Sequence, residues 1–210
     1  ASGTTIMTTE PKFVPKDAAS IQLSEDVEVK IRLIDCVGFM VEGASGHIEN
    51  DTERQVKTPW FEYEIPFTKA AAIGTQKVIH DHATIGLVVT TDGSICDLPR
   101  ENYVAAEERT IQELQSIGKP FIILLNCTKP YTDEAQDLQA AMEEKYKTAV
   151  LPVNCEQLKE EDVNNIMRQV LYEFPISEVE FFVPKWVEML SREHRIKQDL
   201  LAAVKFLMTE

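Results

Sequence analysis

The sequence predicts an α/β fold: a mixed, mostly parallel sheet with flanking helices, followed by a C-terminal helical extension. Three observations carry this. The runs Ile85-Gly-Leu-Val-Val89, Phe121-Ile-Ile-Leu-Leu125 and Ala149-Val-Leu-Pro-Val153 are continuously apolar, as strands buried on both faces are. Helical segments stand between them, and strand–helix alternation implies right-handed crossovers and parallel pairing. Ahead of them, Val27 to Ile34 alternates and then turns solidly apolar; with Ser20–Leu23 it forms an antiparallel hairpin that makes the sheet mixed.

Taken in order, residues 1–17 are rich in Thr, Pro and Lys and read as loop, and Ser24-Glu-Asp26 as the hairpin turn. From Gly38 to Pro66 the pattern breaks into a long irregular segment with Gly43, Gly46, Pro59 and charges from Glu49 to Lys57. Loops of that length are uncommon unless functional. Phe67–His82 carries Phe67, Ala71, Val78 and Ile79 near helical spacing. Ala105–Ile117 is a helix stopped by Gly118-Lys-Pro120, and Thr132–Lys145 and Glu160–Glu173 are two more. Beyond Pro175 an extended stretch leads to Lys185–Met208, read as one amphipathic helix of about 36 Å at 1.5 Å per residue.

Length and composition set the frame. At roughly 150 residues per domain, 210 residues give one domain and a remainder. We place the domain at 1–175 and a linker with the start of a following domain at 176–210. Hydrophobic residues at 44% and charged residues at 27% exclude a mainly disordered chain. Lys plus Arg number 21 against 35 acids, a net charge of -14, and such a chain is a poor nucleic-acid binder because phosphate affinity comes from cations. No run approaches the roughly 20 apolar residues of a membrane span. The start, Ala1-Ser-Gly-Thr-Thr-Ile-Met7, has neither a signal peptide's charge nor its apolar core, and it lacks an initiator Met, so a chain cut from a longer one is expected. Cys36, Cys96, Cys127 and Cys155 show no short pair spacing, which favours reduced thiols over a disulfide framework.

The most informative unit is Leu33-Ile-Asp-Cys-Val-Gly38, an apolar strand ending in Asp with Gly three residues on. This is the D-x-x-G arrangement of phosphate-loop GTPases. The strand delivers Asp35 to the sheet edge, where its carboxylate can hold Mg²⁺ through water, and Gly38 lets its backbone N–H approach a γ-phosphate. An isolated match also fits a strand-end turn. In that order of elements a switch loop bearing Thr precedes the hairpin, and Thr4, Thr5, Thr8 and Thr9 stand there. Thr8 and Thr9 are the candidates to sense the phosphate and support hydrolysis. Asn126-Cys-Thr-Lys-Pro130 follows the second apolar strand, where GTPases carry the guanine-reading N-K-x-D. Lys129 stands in the Asp position, and a lysine has no acceptor for the N–H edge of guanine. It can donate to the N1 of adenine, so Asn126 and Lys129 point to ATP over GTP. Phe39 follows Gly38 where Ras-like enzymes hold a water-orienting Gln, a role Phe cannot fill. No G-x-x-x-x-G-K-[ST] occurs, and that loop is expected ahead of residue 1, so this chain alone is expected to be inactive.

Other groups say less. His80 and His82 are two apart on a helix and do not share a face, which reads as surface histidines. Cys36, Cys127 and Cys155 each follow a strand, and small buried thiols are the simpler reading than a metal or redox cluster. Thr90-Thr-Asp-Gly-Ser94 fits equally a loop above a nucleotide and a plain Asp-Gly turn.

The chain resembles the stage IV sporulation protein A family, the spore-coat morphogenetic ATPases of endospore-forming Firmicutes. The matching stretches include Thr5-Ile-Met-Thr-Thr-Glu-Pro-Lys-Phe13, Ile34-Asp-Cys-Val-Gly38, Val56-Lys-Thr-Pro-Trp60, Val89-Thr-Thr-Asp-Gly93, Gly118-Lys-Pro-Phe121, Leu171-Tyr-Glu-Phe-Pro175 and Pro184-Lys-Trp-Val187, and they span nearly the whole chain. The resemblance implies a phosphate-loop ATPase derived from the GTPase superfamily, with ATP and Mg²⁺ as cofactors. It implies self-assembly driven by hydrolysis into a shell on the outer forespore membrane, in the mother-cell cytoplasm. The implied partners are further copies of the protein, a small amphipathic membrane-anchoring peptide and other coat proteins. Asp35 takes the Walker B position, Thr8 and Thr9 those of the sensor threonines. A regulatory GTPase, which Lys129 opposes, and a structural module that uses no nucleotide are the competing readings.

Overall fold

The structure is a computed structural model that describes residues 13–24, 27–95, 97–174 and 182–207. The chain divides into two compact units, Ala1–Phe174 and Pro175–Glu210.

The first unit opens with a hairpin of β1 (Phe13–Ser24) and β2 (Val27–Ile34). The ladder is antiparallel, and its register shifts between Val14 and Ala19. The first strand thus starts at Phe13, where the sequence reading had loop to residue 17; the irregular register lets a Pro- and Lys-containing stretch pair despite its composition. The expected turn at Ser24-Glu-Asp26 lies partly outside the described residues.

The segment 39–66, read as irregular, instead holds two small hairpins: β3 (Ile48–Glu49) with β4 (Thr52–Glu53), and β5 (Gln55–Thr58) with β6 (Phe61–Pro66). Asn50 and Asp51, both at positive φ, make the first turn, a conformation that Asn and Asp tolerate better than most residues. In the second, Val56 and Thr58 point inward while Gln55 and Lys57 face water. Val56 and Ile65 pack on Ala70 and Ala71 of the next helix, a small cluster of its own.

That helix, α1 (Phe67–Lys77), gives way to a π-helical turn over Val78–His82. The parallel sheet follows, with β7 (Gly86–Thr91), α2 (Glu101–Ser116), β8 (Phe121–Asn126), α3 (Asp133–Tyr146), β9 (Val150–Val153) and α4 (Glu160–Tyr172), in strand order β7-β8-β9. The hairpin forms a separate two-stranded ladder, so among the described residues the expected single mixed sheet is not hydrogen-bonded together. Side chains make the connection: Ile21 and Ile31 join the cluster of Ile122, Leu124 and Val153 with Ile166, Met167 and Val170 of α4. On the opposite face, Val88, Ile123, Leu125 and Val150 pack with Ile111, Leu114, Met142 and Tyr146 of α2 and α3. Gly86 is where α2 comes closest, since a Cβ there would lie 2.9 Å from both Leu114 methyls. Cover is uneven: α4 and the hairpin shield β8 and β9, yet Leu87 and Val89 on the same face of β7 are 38% and 58% exposed.

In the second unit the single long helix is replaced by α5 (Lys185–Glu188) and α6 (Arg195–Leu207). The stretch Ser191–Arg195 at the break has no apolar residue, and the sequence reads as continuous only because apolar positions stand on both sides of it. Lys197 Nζ donates to the carbonyls of Glu188 (2.8 Å) and Leu190 (3.0 Å), satisfying the chain end that α5 leaves open. His194 N donates to Ser191 O (3.1 Å), closing the intervening turn.

Candidate functional site

Two groups of candidate residues emerge, one at the carboxyl edge of the parallel sheet and one after β2. At the sheet edge, three loops are tied side chain to backbone. After β7, Gly93 sits at φ +91, and a Cβ there would lie 2.8 Å from Arg100 N, so the turn admits only Gly without displacement. Gly93 N donates to Thr91 Oγ1 (3.1 Å), and Ser94 N donates to Asp92 Oδ1 (2.9 Å). Thr128 N in the loop after β8 donates to Ser94 Oγ (2.9 Å), whose hydroxyl donates to Asp92 Oδ1 (2.6 Å). From the loop after β9, Asn154 Nδ2 donates to Thr128 O (3.2 Å) and Cys155 N donates to Asn126 Oδ1 (2.9 Å). Asn126 therefore braces the β8 and β9 loops through its oxygen. Lys129 is exposed at the outer end of this loop, and its carbonyl accepts from Thr132 Oγ1, the N-cap of α3. The Asp-Gly segment is thus both a turn and one wall of this edge.

Beneath the edge lies a buried polar network that sequence reasoning missed. Glu107 on α2 is 4% exposed. Its Oε1 accepts from Arg100 Nη2 (2.9 Å) and from Tyr146 Oη (2.6 Å), and its Oε2 lies 2.7 Å from Arg100 Nη1. Arg100 Nη1 also donates to Thr90 Oγ1 (3.2 Å), which pins the loop 92–100 to the end of β7. Burial alone pushes the Glu107 carboxyl up, but the Arg100 and Tyr146 hydrogen bonds outweigh it and hold it below the usual range. Burial, reinforced by donation to Glu107, pushes the Tyr146 phenol up to about 12. The one available signal was Glu107 itself, which falls in helical register with the inward-facing Ile111 and Leu114.

The second group follows β2. Asp35 is exposed at the strand end, one residue beyond Ile34. The Cys36 thiol lies against the Thr75 hydroxyl of α1 and the Gly38 amide, and burial raises its pKa. Gly38 is at φ +80, with nothing within 4 Å of where a Cβ would be, so its backbone borders open space. Phe39 is buried and stacks under the Arg109 guanidinium of α2. Among the described residues no hydrogen bond or ion pair links Asp35 or Gly38 to Asn126 or Lys129. Thr8 and Thr9 lie outside the described residues. Cys127 and Cys155 end adjacent strands while Cys36 faces α1, so the three thiols do not form one cluster. Burial, and next the Asp92 charge, push Cys127 up to about 11. His80 lies on the π-helical turn and its Nε2 is 2.8 Å from Glu113 Oε1, while His82 is exposed.

Fit to a nucleotide and metal can be judged from these donors. No three metal-ligating side chains converge among the described residues. An exposed carboxylate beside an open glycine suits Mg²⁺, which keeps several waters and takes one or two carboxylates plus phosphate oxygens. No helix among the described residues is long and apolar enough to cross a membrane.

Residues 1–175 match the family described as "Stage IV sporulation protein A, ATPase domain". The chain is 50% identical over 204 residues to stage IV sporulation protein A of Clostridioides difficile (strain 630), which covers 97% of this chain and 42% of that protein. It is 47% identical over 205 residues to the protein of the same name from Bacillus subtilis (strain 168), covering 98% of this chain and 42% of that one. The chain thus spans about two fifths of the length of these relatives. No solved structure matches it. The match over 1–175 and these identities place the chain in the stage IV sporulation protein A family, with residues 1–175 in its ATPase domain.

Proposed function

We propose that this chain is the switch-bearing part of a phosphate-loop ATPase of sporulation whose fold has GTPase-like element order. The observation that carries the reading is Asp35 at the end of β2 with Gly38 close behind it in a left-handed conformation, with open space where a Cβ would stand. Asp35 would hold Mg²⁺ through water and Gly38 would meet the γ-phosphate. Thr8 and Thr9 would sense that phosphate and support hydrolysis. Asn126 would shape the base loop, with Lys129 donating to adenine. When bound, Mg²⁺ neutralises phosphate charge. The phosphate loop itself would come from upstream sequence of the longer parent. The apolar strip of Leu87 and Val89 supports this, because a crossover helix following such a loop would cover it.

In the parent, hydrolysis would drive self-assembly of the spore-coat base layer at the outer forespore membrane in the mother cell. A small amphipathic peptide would anchor that layer and other coat proteins would join it. The domain would run over 1–175, with 176–210 leading into the next. A competition assay on the full-length protein tests the nucleotide class: unlabelled ATP should displace bound labelled ATP far better than GTP does. Equal displacement by GTP would show that Lys129 does not read the base.

A further inference from the structure

Gly38 lies between two anchors, and the second is provided by α2 and its lead-in. On one side, the Cys36 thiol rests on Thr75 of α1. On the other, Phe39, Glu42 and Gly43 are pinned along α2 and the residues leading into it. Phe39, only 8% exposed, has the Arg109 guanidinium 4.1 Å above its ring centroid. Asn102 Nδ2 donates to Glu42 O at 3.0 Å. At Gly43, φ +78, a Cβ would lie 3.2 Å from Leu98 and 3.3 Å from Asn102, so the backbone is pressed against the start of α2. A turn bond from Ala44 N to Val41 O (3.1 Å) closes the segment. The side chain that follows Gly38 therefore acts as a fixed plug, where a water-orienting residue would need to be free.

We propose that Arg109 and Asn102 are positioning residues that hold the segment 39–43 on α2 and so fix the backbone position of Gly38 at the phosphate site. The inference rests on the ATPase reading above and adds to it how the loop is set. A guanidinium stacked on an aromatic face contributes through its cation and its planar stem together, and a lysine keeps the charge but not the plane. Leu98 also belongs to the loop that follows β7, which Ser94 ties to Thr128. The same helix start thus braces both groups of candidate residues.

The test uses the full-length protein with Mg²⁺-ATP, with rates referred to the concentration of ATP-binding sites so that loss of folded protein does not count as loss of rate. Arg109→Met, which keeps the apolar stem, should lower kcat about tenfold or more while KM stays within about twofold, because misplacing a reacting group by an ångström costs rate more than binding. Arg109→Lys should recover to within about threefold of wild type, since the cation returns to the ring. Asn102→Ala, which removes a single bond to a backbone carbonyl, should show the same kcat–KM split and carries the test if Arg109→Met fails to fold. Wild-type kcat in both Arg109→Met and Asn102→Ala, or equal loss in Arg109→Met and Arg109→Lys, overturns the positioning role. Failure of the wild-type protein to bind or hydrolyse ATP would instead remove the ATPase reading beneath it.

Discussion

Replacing Glu107 by Gln removes one charge from a carboxylate that holds Arg100 and Tyr146 together inside the first unit. Breaking a buried ion pair from one side costs about 3–5 kcal/mol, chiefly because the surviving charge stays desolvated. Arg100 keeps 19% of its side chain in water, and the new amide oxygen can still accept from Tyr146, so the expected cost is about 3 kcal/mol, the low end. For a domain of this size that corresponds to a fall in Tm of about 6–12 °C. Thermal unfolding followed by near-ultraviolet circular dichroism reads it directly. The double variant Arg100→Met with Glu107→Leu should lose less than the two single losses combined, since no buried charge is left alone. The pH dependence has a definite sign. A carboxyl held below its ordinary range contributes stability above about pH 4.3, which is lost as pH falls further. Tyr146 has the opposite sense: with its phenol pushed up to about 12, its share is present below about pH 10 and is lost as pH climbs toward 12. Glu107→Gln should flatten the acid limb and Tyr146→Phe the alkaline one. A Tm change under about 1 °C for Glu107→Gln would mean that Arg100 finds water at no cost and that the ion pair does not stabilise the fold.

Two further outcomes are expected. Gly93→Ala should destabilise the protein by about 1–3 kcal/mol, since its Cβ meets the Arg100 amide in a left-handed turn, and more than Gly38→Ala, whose Cβ meets nothing; denaturant midpoints compare the two. Native-state alkylation at pH 8 followed by mass spectrometry should modify Cys36 and Cys155 before Cys127, which is fully buried with its thiol pushed up to about 11.

Much of the parallel sheet is legible in the sequence because its strands are short apolar runs such as Phe121–Leu125, and periodicity without polar interruption admits few alternatives. The helices between them follow from Gly118 and Pro120 after one and the Thr132 cap before the next. The hairpins over 48–66 were hidden because Gln55-Val-Lys-Thr58 is too short for alternation to rise above its charged surroundings. The break between α5 and α6 was hidden because the five polar residues Ser191–Arg195 also fit the solvent face of a helix and no Gly or Pro marks the stop, while the Lys197 bonds that stabilise the turn depend on tertiary geometry. Within the candidate site, Asp35 and Gly38 are visible as spacing. The pairings Phe39 with Arg109, Ser94 with Thr128 and Arg100 with Glu107 and Tyr146 are not. They join residues whose partners are fixed by which helix lies on which strand.

The most direct measurement compares Mg²⁺-dependent phosphate release from ATP by the full-length protein and its Asp35→Ala variant, at matched folded concentration. Loss of the carboxylate at the end of β2 should slow release about a hundredfold, the scale of several kcal/mol of charge stabilisation. Release from Asp35→Ala at the wild-type rate would contradict the account.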